Sequence, residues 1–365
     1  MDHHGNHSVY SYDRPWRLFY LEGNQNNSLA PASGITLTLK DRLISIIEAD
    51  GPMPVSMYMQ ICLHDPTHGY YATRPGVGRD FTTAPEISQI FGELIGLWVV
   101  HEWEAMWRPH PFILVEPGAG RATMMKDALR AMEMTAQGRA CLKAMQLYLV
   151  EPSPALRVMQ VERLADYAPQ FVTHVDNLPN LPAILISNEF LDCLPARQFV
   201  HDGDGGWHER KVGIAGGELV WGLDREATLP MSAAPMGHEY AEVQPGLETF
   251  ALSMAAHVEN GQKLRALMID YGPDGLPPKD TLRAFLDGEQ IDPLAAPGVC
   301  DLTVDVDFAE LKRQDLKAGL VVHGAVQQGH FLLALGAEAR MQQLIKENPE
   351  NAEVIFPYIG GEELN

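Results

Sequence analysis

The residues best placed to do chemistry lie in Phe112 to Met132, FILVEPGAGRATMMKDALRAM. An apolar run ends in an acid, passes through Gly118-Ala119-Gly120 and enters an amphipathic stretch, which reads as strand, turn and helix. The glycines let backbone approach a ligand closely, and the helix start offers unpaired N–H groups. A dinucleotide fingerprint wants a small residue three positions after Gly120, where Thr123 stands, and no Gly-Lys-Ser/Thr follows to make a P-loop. Glu116, directly before the turn, would face a pyrophosphate unfavourably and suits a cationic ligand. Glu151 closes the next apolar run, LYLVEPSPAL, where a carboxylate can take both ribose hydroxyls. Asp176, beside Asn177 in HVDNLP, follows the third run and is placed to meet an adenine amino group. One such acid by itself reads as a helix or turn cap. Three in order with the glycines point to a nucleoside that carries positive charge and no phosphate.

The fourth apolar run, AILISNEFLDCLP, brings Asn188, Glu189 and Asp192 to a strand end on the substrate side. Glu189 is the first candidate to orient a cationic substrate, with Asp192 second and Glu86, in PEISQ, third; Asn188 can donate to or accept from the substrate nitrogen. The Gly-rich loop GVGRDFTT reads as a lid, with Phe81 packing near the ligand and Thr82 or Thr83 offering hydroxyls to it. Tyr70, in HGYY, is expected to line the same mouth. S-adenosylmethionine has an ammonium, a sulfonium and no phosphate, and the ladder of Glu116, Gly118, Gly120, Glu151 and Asp176 resembles the class I methyltransferases that use it.

Four separated stretches make the resemblance narrower: Gly78 to Gly96 (GRDFTTAPEISQIFGELIG), Ser187 to Phe199 (SNEFLDCLPARQF), Ile269 to Gly272 (IDYG) and Ala296 to Phe308 (APGVCDLTVDVDF). Together, from about residue 37 to about residue 340, they resemble the MidA family, the bacterial and mitochondrial homologues of complex I assembly factor 7. The resemblance implies an S-adenosylmethionine-dependent protein arginine methyltransferase whose partner is a peripheral-arm core subunit of respiratory complex I. Two places depart from the family pattern. Ala122 stands where that family usually has glycine, and its Cβ is expected to sit in the first helical turn. FLDGEQIDP, Phe285 to Pro293, lacks the basic and histidine residues expected there.

The elements that must position these residues follow from periodicity. Strands at 112–116, 146–151, 171–175 and 183–187 alternate with helices at 121–134 and 154–166, which predicts an α/β, Rossmann-like, mostly parallel sheet. Residues 1–36 read as an irregular extension, and 37–108 as N-terminal helices plus the lid loop. Within that segment, Ile87, Ile90, Phe91, Leu94, Ile95 and Trp98 form one buried face of a long helix after Pro85. The methyltransferase core is expected at 109–199 and 263–365, with a further strand at LVVH near 320 and a helix around 331–346. Gly pairs between short alternating segments make 200–262 a β-hairpin-rich insertion, suited by position to hold a protein substrate.

The net charge of −21 argues against nucleic acid as a partner and favours basic substrates. Four cysteines without a CxxC pair give no zinc or disulfide framework, so no metal is expected. No apolar run is long enough to span a membrane. The start of the chain shows no signal core or transit pattern, which points to a bacterial cytoplasm, or to a mitochondrial matrix for a processed eukaryotic chain. A homodimer is compatible with these features. Competing readings are a small-molecule or amide methyltransferase, from Asn188 beside an aromatic, and a cofactor-binding assembly chaperone with little turnover.

Overall fold

The computed structural model describes residues 38–73, 84–204, 206–228, 239–259, 261–272 and 280–348. Helix α1 (Leu39–Asp50) starts at a capping box in which Thr38 and Asp41 satisfy each other's backbone N–H, and it stops at Gly51, whose φ of 86° suits glycine. A short strand β1 (Met53–Pro54) and helices α2 (Val55–His64) and α3 (Tyr70–Thr73) follow. The helix expected after Pro85 is divided into a single turn, α4 (Ala84–Ile87), and the long α5 (Gln89–Ala105). Ser88 separates them: its backbone is extended and its hydroxyl accepts from the Ile90 N–H. Ile87 therefore leaves the expected apolar face and is 45% exposed, whereas Ile90, Phe91, Leu94 and Ile95 are buried and Trp98 packs partly buried against the same core.

The chain then alternates through β2 (Phe112–Pro117), α6 (Thr123–Glu133), α7 (Ala136–Ala144), β3 (Met145–Val150), α8 (Pro154–Arg163), β4 (Gln170–Val172) and β5 (Ala183–Asn188). Strands β6 (Arg197–His201), β7 (Trp207–Ala215), β8 (Glu218–Thr228) and β9 (Tyr240–Val243) come next, then α9 (Pro245–Glu259) and β10 (Leu264–Ile269). The remaining elements are β11 (Arg283–Leu286), β12 (Glu289–Ile291), β13 (Asp301–Thr303), α10 (Phe308–Lys317), α11 (Gln328–Ala334) and α12 (Ala337–Glu347).

Two compact units result. One draws on Arg74–Asp192, Leu252–Tyr271 and Asp315–Asn365. Its sheet runs β10-β5-β2-β3-β4 with every pairing parallel. The first strand of the alternation, β2, is buried at every position and lies at the centre, so the strand order reverses between β2 and β5. In an open α/β sheet the crevice at that reversal is where ligands bind, at the carboxyl ends of the strands. Helix α5 holds α6 in place through glycines: a Cβ on Gly92 would lie 2.7 Å from the Asp127 Cβ, and one on Gly96 would lie 2.4 Å from the Ala128 carbonyl oxygen. The two helices cross as closely as backbone allows.

The other unit draws on Met1–Thr73, Cys193–Ala251 and Gly272–Gln314. It has an antiparallel sheet β1-β7-β6-β9, with β8 on β7, and a small antiparallel sheet β12-β11-β13. Leu43, Val55, Tyr58, Met59, Val212 and Leu302 are in its core. The division falls elsewhere than the sequence draws it. Helices α4 and α5 belong with the parallel sheet because their apolar face packs on it, and β11 to β13, expected in the methyltransferase core, belong with the hairpins. The strand expected at LVVH does not form; those residues lack regular structure and Val321 is 82% exposed. The helix around 331–346 is two helices broken at Gly336, which has a φ of 97°. Among the described residues no helix is long and apolar enough to cross a membrane.

Candidate cofactor and substrate site

Strand β2 delivers Glu116 to the reversal point, and the chain then turns on left-handed residues: Gly118 at φ 65°, Gly120 at φ 49° and Ala122 at φ 57°. The Gly118 N–H donates to the Val150 carbonyl at 3.1 Å, tying the turn to β3, and the Ala122 N–H donates to the Ala119 carbonyl at 2.6 Å. Ala122 is not in the first helical turn as the sequence implied. It is the residue before α6, buried and left-handed, so its Cβ carries a backbone cost of roughly 1 kcal/mol that glycine would not. At Gly118 glycine is required twice over, because a Cβ there would come within 2.8 Å of the Phe190 ring. Phe190 thus lies directly on the turn and joins it to the segment after β5.

Glu116 is 3% exposed, and its Oε2 is buried with no hydrogen-bond partner among the described residues. Burial alone pushes its pKa up to about 8. Such a carboxyl holds its proton at neutral pH until a cation arrives. Glu151, 4% exposed, also has its pKa raised by burial, opposed by donors from α8. Its Oε1 accepts from the Ser153 N–H at 2.8 Å and its Oε2 from Gln160 Nε2 at 3.2 Å. Both contacts leave lone pairs for hydroxyl donors, so the capping role and a ribose role coexist at this residue. Gln160, which sequence reasoning missed, also donates to the Gly120 carbonyl at 2.8 Å.

Asp176 and Asn177 lie in a 3-10 turn after β4, and both are exposed. Asp176 is 3.0 Å from His174 Nδ1, and Asn177 Oδ1 accepts from Thr173 at 3.4 Å. Glu86 makes contacts at the start of α6. It accepts from the Thr123 hydroxyl at 2.6 Å and lies 3.7 Å from Arg121, so it braces the start of α6, where Arg163 also donates to Thr123. Tyr70, expected at a mouth, is a core residue, 1% exposed and edge-on to Tyr71 at 5.2 Å. Phe81, Thr82 and Thr83 lie outside the described residues.

The substrate-side acids gather where β5 and β10 end together, with Asn188 registered against Ile269. Glu189 follows at φ 46°, its N–H donating to the Ile269 carbonyl at 2.9 Å. Its pKa is raised to about 7, by burial first and by the Asp192 carboxylate second, while the Asn188 side chain and the Ala84 N–H donate to it and pull the other way. Asp270, from the IDYG stretch, is the acid that sequence reasoning left out. Its Oδ2 accepts from the Leu191 N–H at 2.9 Å and the Asp192 N–H at 3.3 Å, and its Oδ1 from the Tyr271 N–H at 2.9 Å. Burial and the neighbouring Asp192 hold its pKa well above the usual carboxylate range. Asp192, 3% exposed, accepts from the Tyr271 hydroxyl. Among the described residues, Ser187 Oγ and Asn188 Oδ1 are buried without partners beside these acids, as are Arg121 Nε and Gln160 Oε1 near the turn.

Known proteins resemble the chain in ways that agree with this geometry. Residues 94–326 match a family described as "Putative S-adenosyl-L-methionine-dependent methyltransferase". The Drosophila melanogaster protein arginine methyltransferase NDUFAF7 homolog is 35% identical, aligned over 87% of this chain and 79% of its own length. Human NDUFAF7, also a mitochondrial protein arginine methyltransferase, is 33% identical over 92% of this chain and 80% of its own. The chain belongs to the MidA/NDUFAF7 family. A COG1565-superfamily protein from Burkholderia thailandensis, solved with S-adenosylhomocysteine bound, has the same fold at a TM-score of 0.73 and 24% identity, over 87% of this chain and 86% of that one.

Membership makes this protein an S-adenosylmethionine-dependent methyltransferase. The buried polar groups fit that cofactor. Among the described residues, the glycine turn carries a buried carboxyl with an unpartnered oxygen and no neighbouring phosphate-binding lysine, which suits an ammonium and would reject a pyrophosphate.

Proposed function

We propose that this methyltransferase transfers its methyl group to an arginine side chain of a partner protein. The observation that carries the reading is the contact of Phe190 with Gly118, which puts the Glu189, Asp192 and Asp270 group next to the cofactor turn. Glu189 and Asp270, both raised in pKa by burial and by the neighbouring Asp192 carboxylate, favour a cation, and a guanidinium offers five N–H donors in a planar fork that matches such a group of carboxyls. The names of the curated relatives, protein arginine methyltransferases, support the same substrate class.

In this reading Glu116 faces the cofactor ammonium, Glu151 accepts from the ribose hydroxyls, and Asp176 and Asn177 lie toward the adenine. The bound cofactor supplies an electrophilic methyl on a sulfonium. The chain's task is to align a nitrogen with it and to exclude water, which is where most of the rate comes from. Glu189 is held by donors from Asn188 and Ala84, so its carboxylate has one orientation when the guanidinium pairs with it. Pairing leaves the lone pair concentrated on the attacking nitrogen, and Glu189 takes the proton that nitrogen loses. A group with a pKa near 7 does this at neutral pH. Asp270 fixes the Leu191 and Asp192 backbone through its two acceptor oxygens, and Asp192 receives the Tyr271 hydroxyl.

The partner in this reading is a core subunit of the peripheral arm of respiratory complex I, and the compartment is the one where that arm is assembled. Mass spectrometry of peripheral-arm subunits from cells with and without this gene tests it. One methylarginine that disappears with the gene supports the reading. An unchanged set of methylarginines, with complex I still depleted, would instead favour an assembly chaperone.

A further inference from the structure

We propose that Gln160 is a positioning residue for the cofactor: its amide locks the glycine turn to the ribose acid, so that both ends of one nucleoside site are set by a single side chain. The inference rests on the assignment of Glu151 to the ribose.

The chemistry of the contacts fixes the orientation of the amide. Gln160 is fully buried, in the middle of α8, and both of its neighbours, the Gly120 carbonyl at 2.8 Å and Glu151 Oε2 at 3.2 Å, are acceptors. Only the amino end can face two acceptors, so the assignment of nitrogen and oxygen is not free. Gly120 is the last glycine of the turn, and Glu151 is the acid at the end of the next strand. Two other contacts at α8, Ser153 N–H to Glu151 Oε1 at 2.8 Å and Arg157 Nε to the Glu151 carbonyl at 2.6 Å, hold the acid but do not reach the turn, while Arg163 holds Thr123 at the start of α6 but does not reach the acid.

The carboxylate of Glu151 has rotamer freedom that hydroxyl recognition cannot tolerate, and Gln160 removes it by occupying one lone pair of Oε2. The same nitrogen holds the Gly120 carbonyl, and with it the path of the backbone into α6. A methionine at 160 would fill nearly the same volume and keep neither bond. A glutamate would put a second carboxylate against Glu151 and a carbonyl oxygen.

The test sets three proteins against two ligands, read by calorimetry on the full chain. S-adenosylhomocysteine and its 2′-deoxy analogue are titrated into wild type, Gln160→Met and Glu151→Gln. Circular dichroism and thermal denaturation confirm that each variant is folded. Wild type is expected to prefer the ribose ligand by roughly 10- to 100-fold, the range of a hydrogen bond to a charged group. In Gln160→Met that preference falls at least about five-fold, because Glu151 is no longer held. A preference unchanged in Gln160→Met overturns the inference, even where both ligands bind more weakly, since equal weakening is what a merely structural residue gives. Loss of the preference in Glu151→Gln with retention in Gln160→Met overturns the inference alone. Retention in Glu151→Gln overturns the ribose assignment and the inference together.

Discussion

Binding of the cofactor should expel a proton, and Glu116 is its source. This carboxyl sits 3% exposed at the end of β2, and one of its oxygens has no donor among the described residues. Burial moves its pKa from 4.5 to about 8. Ionising it in place therefore costs roughly 5 kcal/mol more than in water, at about 1.4 kcal/mol per pH unit. At pH 7 about nine in ten free molecules carry the proton. An ammonium brought against it favours the charged form, so the bound state holds fewer protons than the free state and affinity rises with pH. Titration of S-adenosylmethionine at pH 7 in two buffers of different ionisation enthalpy counts the protons released. Wild type should release about 0.9 proton more than Glu116→Gln, and the difference between the two proteins cancels the ligand's own titration. Between about pH 6 and 8 the affinity of wild type relative to Glu116→Gln should climb roughly 50-fold, nearly tenfold per pH unit below 7, and level off above 8. At the plateau the variant should bind roughly 10- to 100-fold more weakly. Equal proton counts in the two proteins would refute the pairing of Glu116 with the cofactor's positive end.

Four further outcomes follow from the same geometry. Gly118→Ala forces a Cβ against Phe190 at φ 65°; it should cost roughly 1–3 kcal/mol in thermal denaturation and weaken cofactor binding by more than about ten-fold in calorimetry. With saturating cofactor, kcat/KM for an arginine-containing peptide should rise with pH through about 7, the pKa of Glu189, and Glu189→Gln should be nearly inactive with that limb gone. Arg340→Ala removes two of the contacts to the buried Glu93, Nε to Oε2 at 2.7 Å and Nη2 to Oε1 at 3.1 Å, leaving Arg130; urea denaturation should show a loss of roughly 1–3 kcal/mol. Glu242 is buried with a pKa near 7 in the folded chain against 4.5, so its stabilising contribution is complete below about 4.5 and is lost as pH rises through about 7. Thermal melts from pH 5 to 8.5 should therefore fall less steeply in Glu242→Gln than in wild type.

The sequence disclosed those parts of the site that are built from consecutive residues. Glu116, the glycine turn and α6 form one strand–turn–helix unit, and its local pattern placed all of it to within two residues. Glu151 and Asp176 stand after strands of the parallel sheet, as the same alternation rule expects. What escaped was assembled by tertiary packing. Asp270 reaches Asp192 only because β10 pairs in register with β5, and no pattern in IDYG alone states that register. Gln160 sits inside a helix whose amphipathic pattern marks it as one more inward position. Its burial without an apolar side chain was the available signal, since a polar residue on an inward face needs partners. Packing also sets what the sequence does not state for Tyr70 and Glu86, the first buried in a core and the second bonded to Thr123 at the start of α6. The strand expected at LVVH failed because β-branched residues form a strand only where a sheet edge accepts them.

Methyl transfer by the purified protein is the most direct measure of the account. Wild type and Glu189→Gln are incubated with isotopically labelled S-adenosylmethionine and the peripheral-arm subunits of complex I, and the products are mapped by peptide mass spectrometry. The account predicts label on arginine in wild type and at most a trace in Glu189→Gln, with cofactor binding by the variant retained. Label on a residue other than arginine, or equal labelling by the two proteins, would contradict it.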